Sequence, residues 1–176
     1  MRKSPFIIFL IALLMALAGC GYTTSSTLPS NFKTIYVEKF ENKVNFATER
    51  TRNLYFPNLE IDVLHAISDR YLFDGNLRIS QSDAADLVLK GKLLSYDRDA
   101  LRITDNEDPE EYRIHVTVSL ELWDTSKQEM VWSEASFTGE STYFVSGPQA
   151  RSESDAVQDA VKDLARRVVE RTIENW

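Results

Sequence analysis

The sequence contains few of the residues from which enzymes and metal proteins build their sites. Among 176 residues there is one cysteine, and there are two histidines, His65 and His115. A single thiol excludes an intramolecular disulfide and a cysteine-based metal cage. The sequence also has no H-E-x-x-H motif, no G-x-S-x-G nucleophile elbow and no Gly-rich phosphate loop. It therefore predicts a protein that is not an enzyme and that uses no metal or cofactor.

Glycine, proline and positive charge are scarce as well. Six glycines and five prolines exclude a collagenous or Pro-rich chain. Twenty basic residues against 27 acidic residues give a net charge of −7, which argues against a general nucleic-acid binder. Hydrophobic residues make up 43% and charged residues 27%, a composition typical of one folded domain of ordinary size.

The N-terminus carries the longest apolar run. Arg2 and Lys3 precede twelve uncharged residues, Phe6 to Leu17, and the tetrad L-A-G-C ends at Cys20. A helix needs about 20 apolar residues to span a bilayer, so the run is too short and has the flanks of a secretory signal. The alternative is an ordinary buried helix that happens to end in cysteine.

The L-A-G-C tetrad resembles the lipobox of bacterial lipoproteins. The resemblance implies that residues 1–19 are a signal peptide and that Cys20 becomes the lipidated first residue. Residues 20–30 are then an anchor and polar tether, and residues 31–176 form one domain. Several acyl chains hold a protein body to a membrane where one chain is marginal. Gly21 is not the aspartate that retains lipoproteins at the inner membrane, so the resemblance implies the outer membrane.

Hydrophobic periodicity predicts the order β-α-β-β-β-α. The predicted strands are Thr34 to Phe40, Asp86 to Tyr96, Tyr112 to Trp123 and Glu129 to Thr138, and Glu140 to Pro148 continues as an edge or a loop. The predicted helices are Asn58 to Phe73 and a last helix from Ser152. Leu77 to Ser80 is either a short strand or an extended lead-in. The strand from Tyr112 alternates strictly and has one apolar face, which two helices on the same side would bury most simply. The prediction is an α+β, two-layer α/β sandwich with a mixed or antiparallel sheet of about four strands and an open polar face.

Cations fall on the predicted open face. Lys90, Lys92, Arg113 and His115 would form one cationic patch for an anionic ligand or a charged partner, or else belong to an ordinary mixed-charge face. Trp123 would either lie on this face or pack on the following turn. The acidic run from Asp105 to Glu111 is predicted to be a solvated hairpin tip, with a loose calcium site as the alternative.

The order of several segments resembles the LptE family of lipopolysaccharide-assembly lipoproteins. The matching segments are Gly19 to Tyr22, Ile35 to Lys43, Leu87 to Tyr96, Glu111 to Trp123, Val131 to Glu134, Ser141 to Phe144 and the helix to Trp176. The resemblance implies that the chain is a plug inside the outer-membrane β-barrel LptD. The two proteins together would place lipopolysaccharide in the outer leaflet. It also implies the same sandwich fold, assistance in barrel assembly, and lipopolysaccharide binding through basic side chains.

The resemblance places functional basic residues in two regions. In this chain the loop after the second main strand offers Arg98 and Arg102, and the start of the last helix offers Arg151. Guanidinium and ammonium groups suit the phosphates of such a lipid. The alternatives to the LptD plug are a periplasm-facing lipoprotein adaptor of another envelope complex and a lipid-anchored hydrolase.

Overall fold

The computed structural model describes residues 28–44 and 56–174. The predicted signal peptide, the Cys20 anchor and the first part of the tether lie outside these residues. Among the described residues no helix combines the length and the apolar character needed to cross a membrane.

The sheet is mixed and has six strands. In chain order the elements are β1 Thr34–Val37, β2 Glu41–Asn42, α1 Leu59–Asp74, β3 Arg78–Ile79, a 3₁₀ turn Ser82–Ala84, β4 Leu87–Ile103, β5 Pro109–Asp124, β6 Glu129–Phe144 and α2 Glu153–Glu174. The strands lie in the order β3-β1-β4-β5-β6, and β2 pairs with β4 beyond the end of β1. Strands β1, β2 and β3 make parallel pairs, whereas β4, β5 and β6 are antiparallel.

The predicted fold class is confirmed, with more strands than the four expected. The two additional strands, β2 and β3, have two residues each, too few for a period of two to be visible in the sequence. Strand β3 lies within the segment from Leu77 to Ser80 and pairs with β1, so the short-strand alternative was the correct one.

The central antiparallel strands are longer than their patterns indicate. Strand β4 was predicted to end at Tyr96 but continues to Ile103. Strand β6 continues past Thr138 to Phe144, into the segment that the sequence left open as an edge or a loop. The register of β4 shifts at Leu93/Ser95 and again near Ala100. Each shift moves the following side chains to the opposite face, which removes the alternation that would have identified a strand.

Local capping interactions define the C-terminus of α1 and the N-terminus of α2. Gly75 takes a left-handed conformation with φ 79° after α1, and its N–H donates to the Tyr71 carbonyl at 3.0 Å. Before α2, the Ser152 hydroxyl accepts the Asp155 N–H at 3.1 Å and donates to the Asp155 carboxylate at 2.6 Å. Both ends of α1 and the start of α2 lie within one residue of their predicted positions.

The helices pack side by side on one face of the sheet and enclose one core. Inside it, Tyr71 of α1 hydrogen-bonds Thr172 of α2 at 2.8 Å. The Thr172 hydroxyl proton is donated to the Val168 carbonyl, so Tyr71 is the donor. Gly139 of β6 lies directly under α2, where a Cβ would collide with the Ala160 carbonyl. A glycine is thus required for the helix to approach the sheet this closely.

Candidate functional site

The second face of the sheet is open and polar, as predicted. Along β4 and β5, Lys90 lies opposite Glu121 and Lys92 opposite Ser119. Farther along the same strands, Asp97 lies opposite His115 and Asp99 opposite Arg113. The pairing therefore brings acids into the region where the sequence suggested an array of cations.

The prediction of a single cationic patch is wrong. Lys92 pairs with Ser119, which lies six residues along β5 from Arg113, a separation of about 20 Å at the rise of a strand. Sequence alternation correctly placed all four cations on one face but could not give their distance along it. The open face therefore has two ends of different character.

The Arg113 end is a mixed-charge surface. The Arg113 Nε lies 3.9 Å from a Glu140 oxygen. The His115 ring lies between two carboxylates, with Nε2 3.7 Å from Asp99 and Nδ1 3.9 Å from Glu140. These acids compete with any anion for the two basic groups, so the alternative of an ordinary mixed-charge face describes this end.

The lysine end forms a small cleft with a volume of about 160 Å³. Its charged lining consists of three lysines and three glutamates: Lys39, Lys90, Lys92, Glu38, Glu41 and Glu121. Lys43, and to a smaller extent Lys92, holds the pKa of Glu41 below its usual value. The lysines of this cleft therefore lie among three glutamate side chains, which an anion bound there would have to displace.

Trp123 belongs to the lysine end. The Lys90 ammonium lies 5.4 Å from the centre of the Trp123 ring, and the indole N–H donates to Glu121 at 3.1 Å. This geometry settles the alternatives for Trp123 in favour of the open face. The ring provides a flat, half-exposed surface beside a cation, an arrangement that suits both an aliphatic chain and a charged group.

Arg98 lies on the opposite face of the sheet, where the helices pack. Its guanidinium is 2.5 Å from the Glu153 carboxylate and 4.7 Å from the centre of the Tyr112 ring. The same carboxylate accepts the hydroxyls of Tyr96 at 2.6 Å and Tyr143 at 3.2 Å. Burial, together with the hydrogen bond to Glu153, raises the pKa of Tyr96. Arg98 therefore joins the start of α2 to the extended part of the sheet.

The other two predicted arginines differ in accessibility. Arg151 is held by the Asp159 carboxylate at 2.5 Å, the Ser141 hydroxyl at 3.0 Å and the Thr142 carbonyl at 2.7 Å. Arg102 makes only a loose ion pair with Glu111, at 3.8 Å, and its side chain is 59% exposed. Of the two, Arg102 is the one that a ligand can reach without breaking a close ion pair.

The acidic run forms a hairpin tip, as predicted. Strand β4 ends at Ile103 and β5 begins at Pro109, with the Thr104 N–H donating to the Asp108 carbonyl at 2.9 Å. Within residues 28–44 and 56–174, no group of three or more His, Cys, Asp or Glu side chains is arranged to hold a metal ion.

His65 lines a groove between α1 and α2. The groove has a volume of about 760 Å³, and its floor is made of small apolar side chains, Ala66, Val157, Val161 and Ala165. Charged residues of both helices form its walls. The residues that line the groove include no serine, threonine or cysteine beside His65.

Sequence reasoning missed two features of these surfaces. Lys39 and its flanking glutamates were assigned only to a strand end, and their place beside Lys90 depends on the parallel pairing of β1 and β2 with β4. Glu153 lies in the first turn of α2, and its contacts with Tyr96, Arg98 and Tyr143 were not predicted. The local sequence signals neither role, because both depend on segments about 50 residues apart.

The order of elements, the sandwich and the open polar face agree with the resemblance found in the sequence. The family model for LptE, described as lipopolysaccharide-assembly, matches residues 32–172. The chain belongs to the LptE family. This LptE-family match spans both helices and every strand of the sheet. A search of curated protein sequences finds no match.

Solved structures share the fold of this LptE-family chain at low sequence identity. Protein XCC0632 from Xanthomonas campestris is 13% identical, with a TM-score of 0.56 over 85% of this chain and 91% of its own. Protein CT253 from Chlamydia trachomatis is 12% identical, with a TM-score of 0.51 over 80% and 95% of the two chains. A variant of PelC from Paraburkholderia phytofirmans, crystallised as a dodecamer, is 19% identical, with a TM-score of 0.50 over 85% and 96%.

Proposed function

We propose that this LptE-family chain is a lipid-anchored plug and assembly factor of the outer-membrane β-barrel LptD. In this role it supports the transport of lipopolysaccharide to the outer leaflet and performs no catalysis itself. The observation that carries the proposal is the family match over residues 32–172, which includes the whole described sandwich.

The surface of the sandwich suits a protein that fills a polar lumen. One sheet face is buried under two helices, and the other is lined by charged and hydroxyl side chains. The interior of a large outer-membrane barrel is polar and water-filled, so such a face can lie against it without burying unpaired apolar surface. The packed core lets the domain keep its shape while the barrel forms around it.

Membrane attachment is assigned to Cys20. Acylation of its thiol and of the new amino group would hold the domain at the outer membrane. Cys20→Ala should therefore release the chain from membranes in cells that lack the barrel partner. A variant that still sediments with membranes like the unchanged protein would contradict the assignment.

Lipopolysaccharide contact is assigned first to Lys90, Lys92 and Arg102. The Arg102 side chain is 59% exposed, and the Lys90 ammonium lies beside the half-exposed Trp123 ring. Arg113 and Arg151 are predicted contacts too, but their side chains are less exposed, at 41% and 36%. Phosphate binds such groups through charge-assisted hydrogen bonds.

The decisive experiment is purification of the anchored chain in mild detergent, followed by identification of the proteins and lipids that copurify. We expect the LptD barrel in a stable complex, and less surface lipopolysaccharide after depletion of the chain. Lys90→Glu with Lys92→Glu should reduce the bound lipopolysaccharide, whereas Lys162→Glu on the helical face serves as a matched control. Purification of the chain without a barrel would overturn the proposal.

A further inference from the structure

Along part of β4, one lateral edge of the sheet has no neighbouring strand among residues 28–44 and 56–174. On this side of β4, β1 pairs with Leu87 to Leu89 and β2 with Lys92 and Leu93, while β5 continues on the other side to Ile103. From Ser95 onward, β4 has only β5 beside it among the described residues. We propose that this edge, residues 95–100, pairs with an extended, basic segment of a partner protein.

The outward backbone groups of this edge can be identified. The Glu38 N–H donates to the Leu89 carbonyl at 2.9 Å, and the Lys43 N–H donates to the Leu93 carbonyl at 2.8 Å, so these two residues direct their carbonyls to this side. The register shift between Leu93 and Ser95 then changes the phase by one residue.

After the shift, Tyr96, Arg98 and Ala100 direct their N–H and C=O groups away from β5. Within the described part of the chain, none of these six groups has a hydrogen-bond partner. Three alternate residues in regular strand geometry are a template for an added strand, because such a strand pairs with every second residue.

The opposite edge of the sheet, formed by β6, differs from the β4 edge because side chains hydrogen-bond to its backbone. On β6, one outward backbone group of each of Thr138, Glu140 and Thr142 is hydrogen-bonded by a side chain of α2 or of the segment before it. Arg167 donates to the Thr138 carbonyl, and Arg151 donates to the Thr142 carbonyl. The Asp163 carboxylate accepts the Glu140 N–H. Side chains thus cover the β6 edge, whereas nothing in the described part of the chain pairs with the outward backbone groups of Tyr96, Arg98 and Ala100. Exposed edges of this kind are where proteins add a strand from a partner.

The charges along the edge specify the partner. On the open face, Asp97 lies beside the unpaired groups and has no ion pair among the described residues, while Asp99 follows on the same face, 3.7 Å from His115. On the other face, Arg98 is neutralised by Glu153. An added strand therefore meets the Asp97 carboxylate on the open face, and Lys or Arg opposite it would be favoured.

A second copy of this chain is a poor occupant. Antiparallel pairing of this edge with itself would place the Asp97 and Asp99 carboxylates of two copies next to one another, and like charges in cross-strand positions are destabilising. The inference therefore concerns a different protein. It does not depend on the proposed role in lipopolysaccharide transport, because any envelope partner with a basic extended segment would satisfy it.

Amide hydrogen exchange on the full anchored chain in detergent tests the inference. The probe is a seven-residue peptide of alternating Thr and Lys, and its control is the same peptide with Glu in place of Lys. We expect the Lys peptide to slow exchange at Arg98 and Ala100 at least tenfold, and the Glu peptide to leave it unchanged. Equal effects of the two peptides, or slow exchange at both amides before any peptide is added, would overturn the inference.

Two variants separate the backbone contribution from the charge contribution. Ala100→Pro removes an outward N–H at an exposed position that an edge strand tolerates, and should weaken Lys-peptide binding at least tenfold. Asp97→Asn leaves the backbone intact and should weaken binding three- to tenfold, even if the proline variant fails to fold. Unchanged binding in Asp97→Asn and in a folded Ala100→Pro would refute the inference. Normal lipopolysaccharide display in such a case would leave the proposed function standing.

Discussion

Removing the Glu153 side chain should cost far more stability than removing other acids of α2. Its carboxylate accepts the Tyr96 and Tyr143 hydroxyls and the Arg98 guanidinium. Hydrogen bonds to charged groups contribute about 1.5–3 kcal/mol each, and a buried donor left without an acceptor costs about 1–3 kcal/mol. Because Arg98 and Glu153 are about one-third exposed, solvent screening reduces the total. We expect Glu153→Ala to destabilise the fold by about 2–4 kcal/mol.

Urea denaturation of a chain that starts at Gly21 measures this loss. A domain of this size shifts its Tm by about 2–4 °C per kcal/mol, so thermal unfolding should show a decrease of about 4–16 °C. Glu153→Gln keeps the shape and one oxygen acceptor and should lose about half as much. The matched control is Glu170→Ala, which removes an exposed i,i+4 pair with Arg166 worth about 0.3–0.5 kcal/mol. The reasoning is refuted if Glu153→Ala costs no more than this control.

Three further substitutions test the packing of the sheet and helices. Gly139→Ala should destabilise by about 1–3 kcal/mol in denaturant melts, because the new methyl group meets α2 backbone rather than a flexible side chain. Tyr71→Phe should cost about 0.5–1.5 kcal/mol, and a double-mutant cycle with Thr172→Val should show that the two losses are coupled. Asp86, whose pKa is held low first by the hydrogen bond from the Lys33 amide, contributes stability above its unfolded pKa of about 3.9 that is lost as the pH falls through its lower folded value. Unfolding free energies measured between pH 7 and pH 2 should therefore show a smaller acid-induced loss in Asp86→Asn than in the unchanged chain.

The parts of the fold that sequence predicted best are those whose evidence is local. Strand β5 alternates Ile114, Val116 and Val118 with polar residues, and each of these apolar side chains is fully buried. Helix α1 ends where Gly75 supplies the left-handed residue. A half-buried strand and a capped helix carry their own signals, since every second residue, or a single turn residue, reports the environment.

The parts that sequence missed depend on register. The distal half of β4 has two register shifts and no clean period, and its strand conformation is maintained by pairing with β5. The same register separates Lys92 from Arg113 and places acids beside His115. A one-residue change in pairing redistributes every cross-strand neighbour, and local sequence contains no information about which residue lies opposite.

The sequence alone therefore determined the fold class, the buried face of the sheet, the two helices and the resemblance to the LptE family. Only the tertiary structure decided which charges meet, that Glu153 connects α2 to the sheet, and that side chains cover the β6 edge while residues 96, 98 and 100 of β4 stay unpaired among the described residues. The physical reason is that burial imprints a pattern on each segment by itself, whereas cross-strand and helix–sheet contacts are set by the alignment of segments far apart in the chain.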